Sequence, residues 1–422
     1  MALILTSACF ALAAGPILRA QGALTPPGPP APTQHSLEEL YSLLIGQQAQ
    51  LSQLQGQLTR FQLENRLLFY YNDALAWINT LIVGGGNTGA QASVAFPRTP
   101  SAPLGRPAIA YFDVGSGSLN YAYNFADDTQ WSAYTVDASG GRYLSHALAP
   151  DGRSAIAYYD QNTGDLKFAL AVSENDPGQG FNVSTVDAVG NVGAHASLAY
   201  GPDGQPAIAY FDATGLNLKF AQYNGSTWTL STVATAGDVG RHTSLAFSPD
   251  GAPHIAFSDN GNLRVLRFLS GLWTLGAYPF SVSDVRETSL RFDAQGQQHL
   301  VYISGSVSSG LNHFVYGPSG NTSTLLQANA GIVVTTTGQS LTFGPDGRPV
   351  IAYYHSYIGQ LNLARLTPTG WSQRVLAAAS PGSPAELGRA AIGFDPTELK
   401  FILAHYEGNA GTLRLLRPGL AP

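Results

Sequence analysis

The chain has 422 residues, 47 of them glycine and 26 proline, with 44% hydrophobic and 11% charged positions. This composition is typical of a globular protein, and the length allows one large domain with an appendage. The net charge is −6 and no basic stripe that could track a phosphate backbone is present, so the sequence argues against a nucleic-acid partner.

The N-terminus has the pattern of a secretory signal. Residues 2–18 are almost wholly apolar, but they are short for a membrane anchor and contain Gly15 and Pro16. We predict a signal peptide over residues 1–20, no membrane span after its removal, and a secreted or cell-surface location. The one cysteine, Cys9, lies in this stretch, so the mature protein has no thiol, and we predict no cofactor and no metal.

A linker and a helix are predicted next. Residues 21–35 are rich in proline, which favours an extended spacer. Ser36 and Glu39 form a capping box, and apolar residues then recur alternately three and four positions apart. This spacing predicts a coiled-coil helix over residues 36–66 that would make a homo-oligomer. The alternative is a single amphipathic helix lying on the main domain.

The rest of the chain is built from a sequence repeat. A segment such as RPAIAYFD recurs seven times at spacings of 45 to 52 residues, with its first residue at positions 106, 153, 205, 252, 297, 348 and 400. This is the length of one four-stranded propeller blade, and glycine, aspartate and asparagine stand at the breaks between strands. We therefore predict an all-β, seven-bladed β-propeller over residues 67–417, with residues 418–422 as a tail.

The two ends of the repeat region complement each other. Trp77–Val83 has the pattern of a fourth strand without its own first two, and the C-terminal unit has three strands and lacks a fourth. Joining them predicts a ring that the N-terminal strand closes. The five tryptophans all occupy the fourth-strand position, which favours packing between neighbouring blades over an aromatic ligand site.

Acidic residues end most of the second strands. The seven positions hold Asp113, Asp160, Asp212, Asp259, Ser304, His355 and Glu407. Four third strands carry a cation where the second strand ends in an acid: Lys167, Lys219, Arg264 and Arg414. Because charge and countercharge change together, we predict cross-strand ion pairs rather than calcium ligands.

A second ring of positions does not repeat. Two residues before each first-strand serine, or its equivalent, stand Gln91, Tyr143, His195, His242, Glu287, Gly338 and Arg389. Such variation around a tunnel mouth is typical both of a binding site and of drift at exposed positions. The candidate ligand-binding residues are Arg142, Tyr143, His195, Arg241, His242, Arg286, Glu287 and Arg389, and no residue is assigned as catalytic.

The arginines of this set suggest a negatively charged guest. A guanidinium fork suits a carboxylate or a sulfate in two-point contact, so an anionic glycan or a cell-surface ligand is the predicted partner. The alternative is that each arginine pairs with a nearby loop acid, such as Asp238, Asp284 or Glu287.

The repeat, with its Pro-Asp-Gly turns at 150–152 and 202–204, its IAYYD strand and its LKFA strand, resembles a known class of sequence. It is similar to arrays found in uncharacterised exported bacterial β-propeller proteins, and more loosely to the Asp-box repeats of sialidase-like propellers. The resemblance implies the fold and little about function. We predict an exported, non-catalytic recognition or adhesion propeller, multimerised by its coiled coil, that binds a glycan or other surface ligand at the tunnel mouth. The alternative is a carbohydrate-active enzyme, either a sialidase-like hydrolase or a polysaccharide lyase.

Overall fold

The computed structural model describes residues 42, 44–55, 77–84, 88–97, 106–124, 131–173, 177–276, 278, 282–305, 310–317, 320–328, 340–355, 359–378, 387–395, 400–407 and 411–418. The chain divides into two units, residues 1–65 and 66–422. The predicted signal peptide at 1–20, the predicted linker at 21–35 and residues 419–422 lie outside the described residues.

The first unit contains a helix. Residues 44–55 form helix α1, within the segment predicted as a coiled coil, and every side chain of these residues is exposed. In the part of the chain that the structure describes, no helix is long and apolar enough to cross a membrane.

The second unit is a propeller of seven antiparallel sheets, each with four strands. Blade 1 consists of β2 (Thr88–Ala95), β3 (Ala108–Asp113), β4 (Ser118–Asn124) and β5 (Trp131–Asp137), and blade 2 of β6 (Arg142–Leu148), β7 (Ser154–Asp160), β8 (Asp165–Ala171) and β9 (Phe181–Asp187). Blade 3 consists of β10 (Val192–Tyr200), β11 (Pro206–Asp212), β12 (Asn217–Tyr223) and β13 (Trp228–Ala234). Blade 4 consists of β14 (Val239–Phe247), β15 (Pro253–Asp259), β16 (Asn262–Leu269) and β17 (Leu272–Leu275). Blade 5 consists of β18 (Val285–Phe292), β19 (Gln298–Ser304), β20 (Gly310–Tyr316) and β21 (Thr322–Ala328). Blade 6 consists of β22 (Leu341–Phe343), β23 (Pro349–His355), β24 (Gln360–Thr367) and β25 (Gly370–Ala378). Blade 7 combines both ends of the propeller sequence: β26 (Leu387–Asp395), β27 (Lys400–Glu407), β28 (Thr412–Pro418) and β1 (Trp77–Val83).

The predicted ring closure is confirmed. Strand β1 pairs antiparallel with β28, with Trp77 opposite Pro418 and Thr80 opposite Leu415. The first strand of each blade contacts the first strand of the next around the whole ring, which makes the first strands the innermost ones. The propeller therefore has seven four-stranded blades, as the repeat predicts.

The repeated IAYYD-type strand supplies the core. The isoleucine or leucine shared by all repeats is completely buried in every blade: Ile109, Ile156, Ile208, Ile255, Leu300, Ile351 and Leu403. These strands lie second in each sheet and pack against both neighbouring blades, which explains their nearly continuous apolar sequence.

The tryptophans pack between blades, as predicted. The Trp228 ring lies edge-on to Phe168 of the preceding blade at 5.3 Å between centroids, and Trp273 lies edge-on to Phe220 at 5.1 Å. Edge-to-face geometry is favourable for aromatic pairs, so these contacts fix neighbouring blades to each other.

A chain of serine hydrogen bonds joins the innermost strands. In blades 1 to 4, the hydroxyl of the first-strand serine accepts a bond from a backbone N–H of the next blade. The pairs are Ser93 with His146 at 3.1 Å, Ser145 with Leu198 at 3.0 Å, Ser197 with Leu245 at 2.9 Å and Ser244 with Leu290 at 2.9 Å. The repeated serine is therefore a structural residue that satisfies buried backbone donors at the blade interfaces.

The predicted cross-strand ion pairs form in three blades: Lys167 with Asp160 at 2.6 Å, Arg264 with Asp259 at 3.3 Å, and Arg414 with Glu407. The fourth prediction, Lys219 with Asp212, is wrong. Asp212 caps its own turn by accepting bonds from Thr214 N and Gly215 N, both at 2.9 Å, and Lys219 pairs instead with Asp187. Asp187 ends the last strand of the preceding blade, so this ion pair joins two blades.

Candidate functional site

The candidate residues lie where first strands begin and second strands end, at what we call the mouth face. Here the register between first and second strands shifts, between Arg142 and Ser145, Ala194 and Ser197, and Arg241 and Ser244. Each shift places one residue in a left-handed backbone conformation, with φ of 52° at Tyr143, 56° at His195 and 55° at His242. Such a conformation costs a residue other than glycine about 1–3 kcal/mol. Three strained residues thus stand at equivalent positions of adjacent blades.

Polar contacts from neighbouring blades hold this backbone in place. The Thr288 hydroxyl donates to the carbonyl oxygen of His242 at 2.5 Å, and the Thr243 hydroxyl donates to that of His195. On the other side, the side-chain oxygen of Gln91 accepts a bond from Tyr143 N. The surrounding structure therefore determines the conformation, which is the condition for strain to persist.

The side chains of these residues form a continuous row. The centroids of the Tyr143 and His195 rings are 4.5 Å apart, and those of His195 and His242 are also 4.5 Å apart. The row ends at Glu287, whose Oε2 lies 3.8 Å from His242 Nδ1. We call Gln91, Tyr143, His195, His242 and Glu287 the mouth row. It crosses five blades, and all of its side chains are half-buried.

The arginines are engaged elsewhere. Arg241 Nε donates to both carboxylate oxygens of Asp238, at 2.8 and 2.9 Å, and its guanidinium lies 4.5 Å from the centroid of the Phe211 ring. Arg286 Nη2 lies 2.9 Å from Asp284 Oδ2. These are the acid pairs that the sequence offered as the alternative to an anionic guest. Both pairs are more than 40% exposed, so each contributes at most about 1 kcal/mol.

The remaining members of the predicted set have different positions. The exposed Arg142 lies 5.8 Å from the centroid of the Phe112 ring of blade 1. Arg389 lies on strand β26, and its side chain is outside the described part of the structure, as is Gly338. The structure therefore brings together Tyr143, His195, His242 and Glu287 of the predicted set.

Sequence analysis missed the two threonines that hold the row. Thr243 and Thr288 directly follow the ring positions of blades 4 and 5, whereas blades 2 and 3 have Leu144 and Ala196 there. Each threonine stands one blade after a histidine, and each bonds to that histidine's carbonyl oxygen. The occurrence of a histidine in one repeat and a threonine in the next was the sequence pattern from which these two residues could have been found.

An acidic cluster near the mouth face is structural. The Tyr158 hydroxyl donates to Asp137 Oδ2 at 2.6 Å, and Lys167 Nζ lies 3.1 Å from the same oxygen and 2.6 Å from Asp160. Burial alone would raise the pKa of Asp137, but hydrogen bonds from Tyr158, Ser139 and Lys167 lower it to about 2. Each carboxylate is thus paired within the protein. Among the described residues, no group of three His, Cys, Asp or Glu side chains is arranged to hold a metal ion.

Comparison with known proteins identifies the fold. No protein-family model matches the chain, and no curated protein sequence matches it. The BP39L lectin from Burkholderia pseudomallei has a similar structure, with a TM-score of 0.58 at 15% identity over 79% of this chain and 95% of that one. The Aleuria aurantia lectin in complex with Fucalpha1-6GlcNAc has a TM-score of 0.45 at 14% identity, over 71% of this chain and 100% of that one. A protein of unknown function from Dyadobacter fermentans gives 0.46 at 10% identity, over 81% and 97%. At 15% identity the likeness to the BP39L lectin concerns the fold alone, and that lectin is a structural neighbour of this seven-bladed β-propeller.

Proposed function

We propose that this protein is an exported, non-catalytic recognition propeller that binds a glycan at the mouth row. The observation that carries the proposal is the row itself. Three rings at 4.5 Å intervals, with an amide at one end and a carboxylate at the other, stand on backbone in the strained left-handed conformation. Ring faces pack against the apolar face of a sugar, and the imidazoles, amide and carboxylate can bond to its hydroxyls. The similar fold of a lectin is a further reason to test glycans first.

The pairing of the arginines bears on the charge of the ligand. Because Arg241 and Arg286 already bind Asp238 and Asp284, an acidic group on the glycan would have to replace an existing partner. We therefore propose a ligand whose recognition depends on ring stacking and hydroxyl groups, with acidity contributing little.

A glycan array on the protein without residues 1–20, followed by calorimetry on the strongest hits, tests the proposal. His195→Ala with His242→Ala, and separately Glu287→Gln, should weaken binding by at least about tenfold, which corresponds to about 1.4 kcal/mol. Arg153→Ala is the matched control, because Arg153 pairs with Asp151 at 2.8 Å in a turn at the opposite end of its blade. Unchanged binding in the double variant would refute the site.

The same experiment separates the alternatives. Arg241→Ala with Arg286→Ala should leave binding within about twofold, and added salt should have little effect. A large loss in this variant, together with a preference for uronates or sulfated sugars, would instead support an anionic ligand. Release of a cleaved product would favour the enzyme alternative, in which His242 and Glu287, at 3.8 Å, are the acid–base pair.

We also propose that residues 36–66 form a coiled coil that joins two or three chains. In the described part, Leu44, Leu51 and Leu54 have the seven- and three-residue spacing of a seam, and 59%, 57% and 50% of their surfaces are exposed. Changing these three leucines to serine should give a monomer in light scattering. Changing Gln48, Gln50 and Gln53 to serine is the matched control and should leave the oligomer intact. A monomeric parent protein at micromolar concentration would overturn this proposal.

Export is the third part of the proposal and rests on the apolar N-terminal stretch. Mass spectrometry of the protein recovered outside the producing cell should show a chain without the first 20 residues. Recovery of the full-length chain inside the cell alone would contradict it.

A further inference from the structure

The face of blade 5 that packs on blade 6 differs from the same face of other blades. On the third strand, blade 5 has His313 where the other blades have an aromatic or aliphatic side chain: Tyr121, Phe168, Phe220, Val265, Leu363 and Leu415. On the first two strands, Arg291 lies opposite His299, where blades 1 to 3 pair two alanines: Ala95–Ala108, Ala147–Ala155 and Ala199–Ala207. Blade 5 thus presents ionisable groups where blades 1 to 3 present none but Tyr121.

The two histidines form a buried hydrogen-bonded relay. His299 Nδ1 lies 3.0 Å from His313 Nε2, and His299 Nε2 lies 3.3 Å from Asp293 Oδ2. Blade 6 covers the relay with two aromatic rings: Phe343, 5.0 Å from the His299 ring, and Trp371, 5.1 Å from the His313 ring. The two nitrogens of His299 point to different partners, so the arrangement is a relay and not a chelate.

The contact between the histidines fits neutral rings. His299 can donate from Nε2 to Asp293 and accept at Nδ1 from the Nε2–H of His313, so that each of these nitrogens has a partner. At 3.0 Å only one of the two facing nitrogens can carry a hydrogen. When both rings are protonated, two N–H groups face each other and two positive charges lie side by side.

The surroundings also oppose protonation. Burial lowers the pKa of His299, although Asp293 acts in the opposite direction, and burial together with the nearby His299 lowers the pKa of His313 to about 3. Arg291, opposite His299, adds a permanent positive charge to this face, and its Nη1 donates to Leu290 O at 3.1 Å. Burial also lowers the pKa of Arg291.

The described groups that blade 6 brings to the interface do not balance that charge. Asp346 and Arg348, in its first turn, pair with each other at 3.3 Å. On the second strand, Tyr353 donates to Gln373 at 2.8 Å, and the pKa of Tyr353 is raised by burial to about 12, so it stays neutral. Phe343 and Trp371 carry no charge. Asp293, on blade 5, is therefore the acid that directly contacts the relay among the described residues.

We propose that the interface between blades 5 and 6 is an acid-sensitive joint, which the neutral His299–His313 pair holds closed and which opens when both rings are protonated. A histidine whose pKa is lowered in the closed state contributes stability that is complete above its unfolded value, about 6.5, and is lost as the pH falls below it. Opening takes up two protons, so the equilibrium constant for opening should rise by up to about 100-fold per pH unit in this range.

Hydrogen exchange on the full protein between pH 7.5 and 4.5, corrected for the intrinsic pH dependence of exchange, tests the joint. In the parent protein, β20 and β25 should lose protection at a higher pH than the equivalent strands β12 and β13 of blade 3. Uniform loss of protection across all blades, or none above pH 4.5, would overturn the proposal. This comparison needs no variant.

Variants that copy other blades sharpen the test. His313→Phe introduces the residue present in blades 2 and 3. In this variant the equilibrium constant for opening should rise by only about tenfold per pH unit, because opening then takes up one proton, at His299. His299→Ala combined with His313→Phe should remove the slope. His254→Ala is the matched control: His254 is half-buried between blades 4 and 5, and desolvation lowers its pKa to about 4, but it lies outside this interface. An unchanged slope in the double variant, or a slope abolished by His254→Ala, would contradict the proposal.

Discussion

At the scale of single residues, the mouth row is notable for its backbone. Glycine adopts a left-handed conformation without strain, yet Tyr143, His195 and His242 occupy it with φ between 52° and 56°. Glycine stands at the equivalent position of blade 6, Gly338, so the repeat itself tolerates that residue. The larger side chains therefore carry a cost in folding that a role in binding would explain.

Replacing His195 separates strain from side-chain function. His195→Gly should leave the free energy of unfolding unchanged or raise it by up to about 1 kcal/mol, because glycine relieves the strain while ring contacts are lost. His195→Ala keeps the strain and loses the ring, so it should be less stable than the glycine variant by about 1 kcal/mol. Both variants should lose glycan binding. Denaturant titration measures the stabilities, and equal values for the two variants would show that the backbone is not strained.

Lys167 is the second residue with a predicted effect, because it neutralises two acids. Its side chain is 15% exposed, and it contacts Asp137 and the completely buried side chain of Asp160. Lys167→Met leaves both carboxylates without their cation and should destabilise the protein by about 3–5 kcal/mol at pH 7.5. Lys219→Met, which leaves only Asp187, is the matched control and should cost less.

The destabilisation caused by Lys167→Met should depend on pH, and the direction of that dependence follows from the pKa shifts of the two acids. In the parent protein, the pKa of both Asp137 and Asp160 is lowered in the folded state, so their stabilisation is present above about pH 4 and is lost in stronger acid. Without Lys167, burial should raise these pKa values above the unfolded ones, and protonation then favours the folded state. The destabilisation should therefore be smaller at pH 5 than at pH 7.5. A loss of stability in Lys167→Met that does not depend on pH would contradict the proposed charge network.

At the scale of strands and blades, the serine bonds are a recurring link between blades 1 to 5. Ser244→Ala removes the acceptor for Leu290 N, and a buried donor without a partner costs about 1–3 kcal/mol. Ser226→Ala, at an exposed turn, should change stability by less than about 0.5 kcal/mol. Thermal unfolding of both variants measures the difference. Equal melting temperatures would show that water or a rearranged strand satisfies Leu290 N.

The strands were predictable because the repeat encodes them locally. A buried isoleucine or leucine recurs in every blade, an aromatic residue near the start of the fourth strand in six blades, and a Pro-Asp-Gly turn in four. The strands depart from the repeat pattern where the contacts of one blade differ from those of the others. The fourth strand of blade 4 ends early, at Leu275, and Tyr278 donates to Gln298 of the next blade at 2.8 Å.

The site was predictable in part. Positions that vary around the mouth identified Tyr143, His195, His242 and Glu287, which the structure brings together. Their left-handed backbone was not predictable, because it follows from a register shift between strands rather than from local residue preference. Arg241, a candidate ligand-binding residue, pairs with Asp238, three residues before it, which is the alternative that the sequence also offered.

At the scale of the whole molecule, closure decides whether the propeller is one cooperative ring. Strand β1 is the outermost strand of blade 7 and covers β28, and Trp77 packs with residues of blade 6. Without β1, strand β28 would expose its backbone edge to pairing with other chains. Blade 7 would also lose its contact between the two ends of the propeller sequence.

Two truncations test this closure. A chain that starts at residue 67 keeps β1 and should be a folded monomer, because it lacks the predicted coiled coil and retains all seven sheets. A chain that starts at residue 85 lacks β1 and should aggregate or melt at a lower temperature, since an unpaired edge strand both loses its ladder and recruits other edges. Light scattering and thermal unfolding on the two chains measure the outcome. A monomeric, equally stable chain from residue 85 would show that six complete blades and three strands suffice, and that β1 only caps an already stable ring.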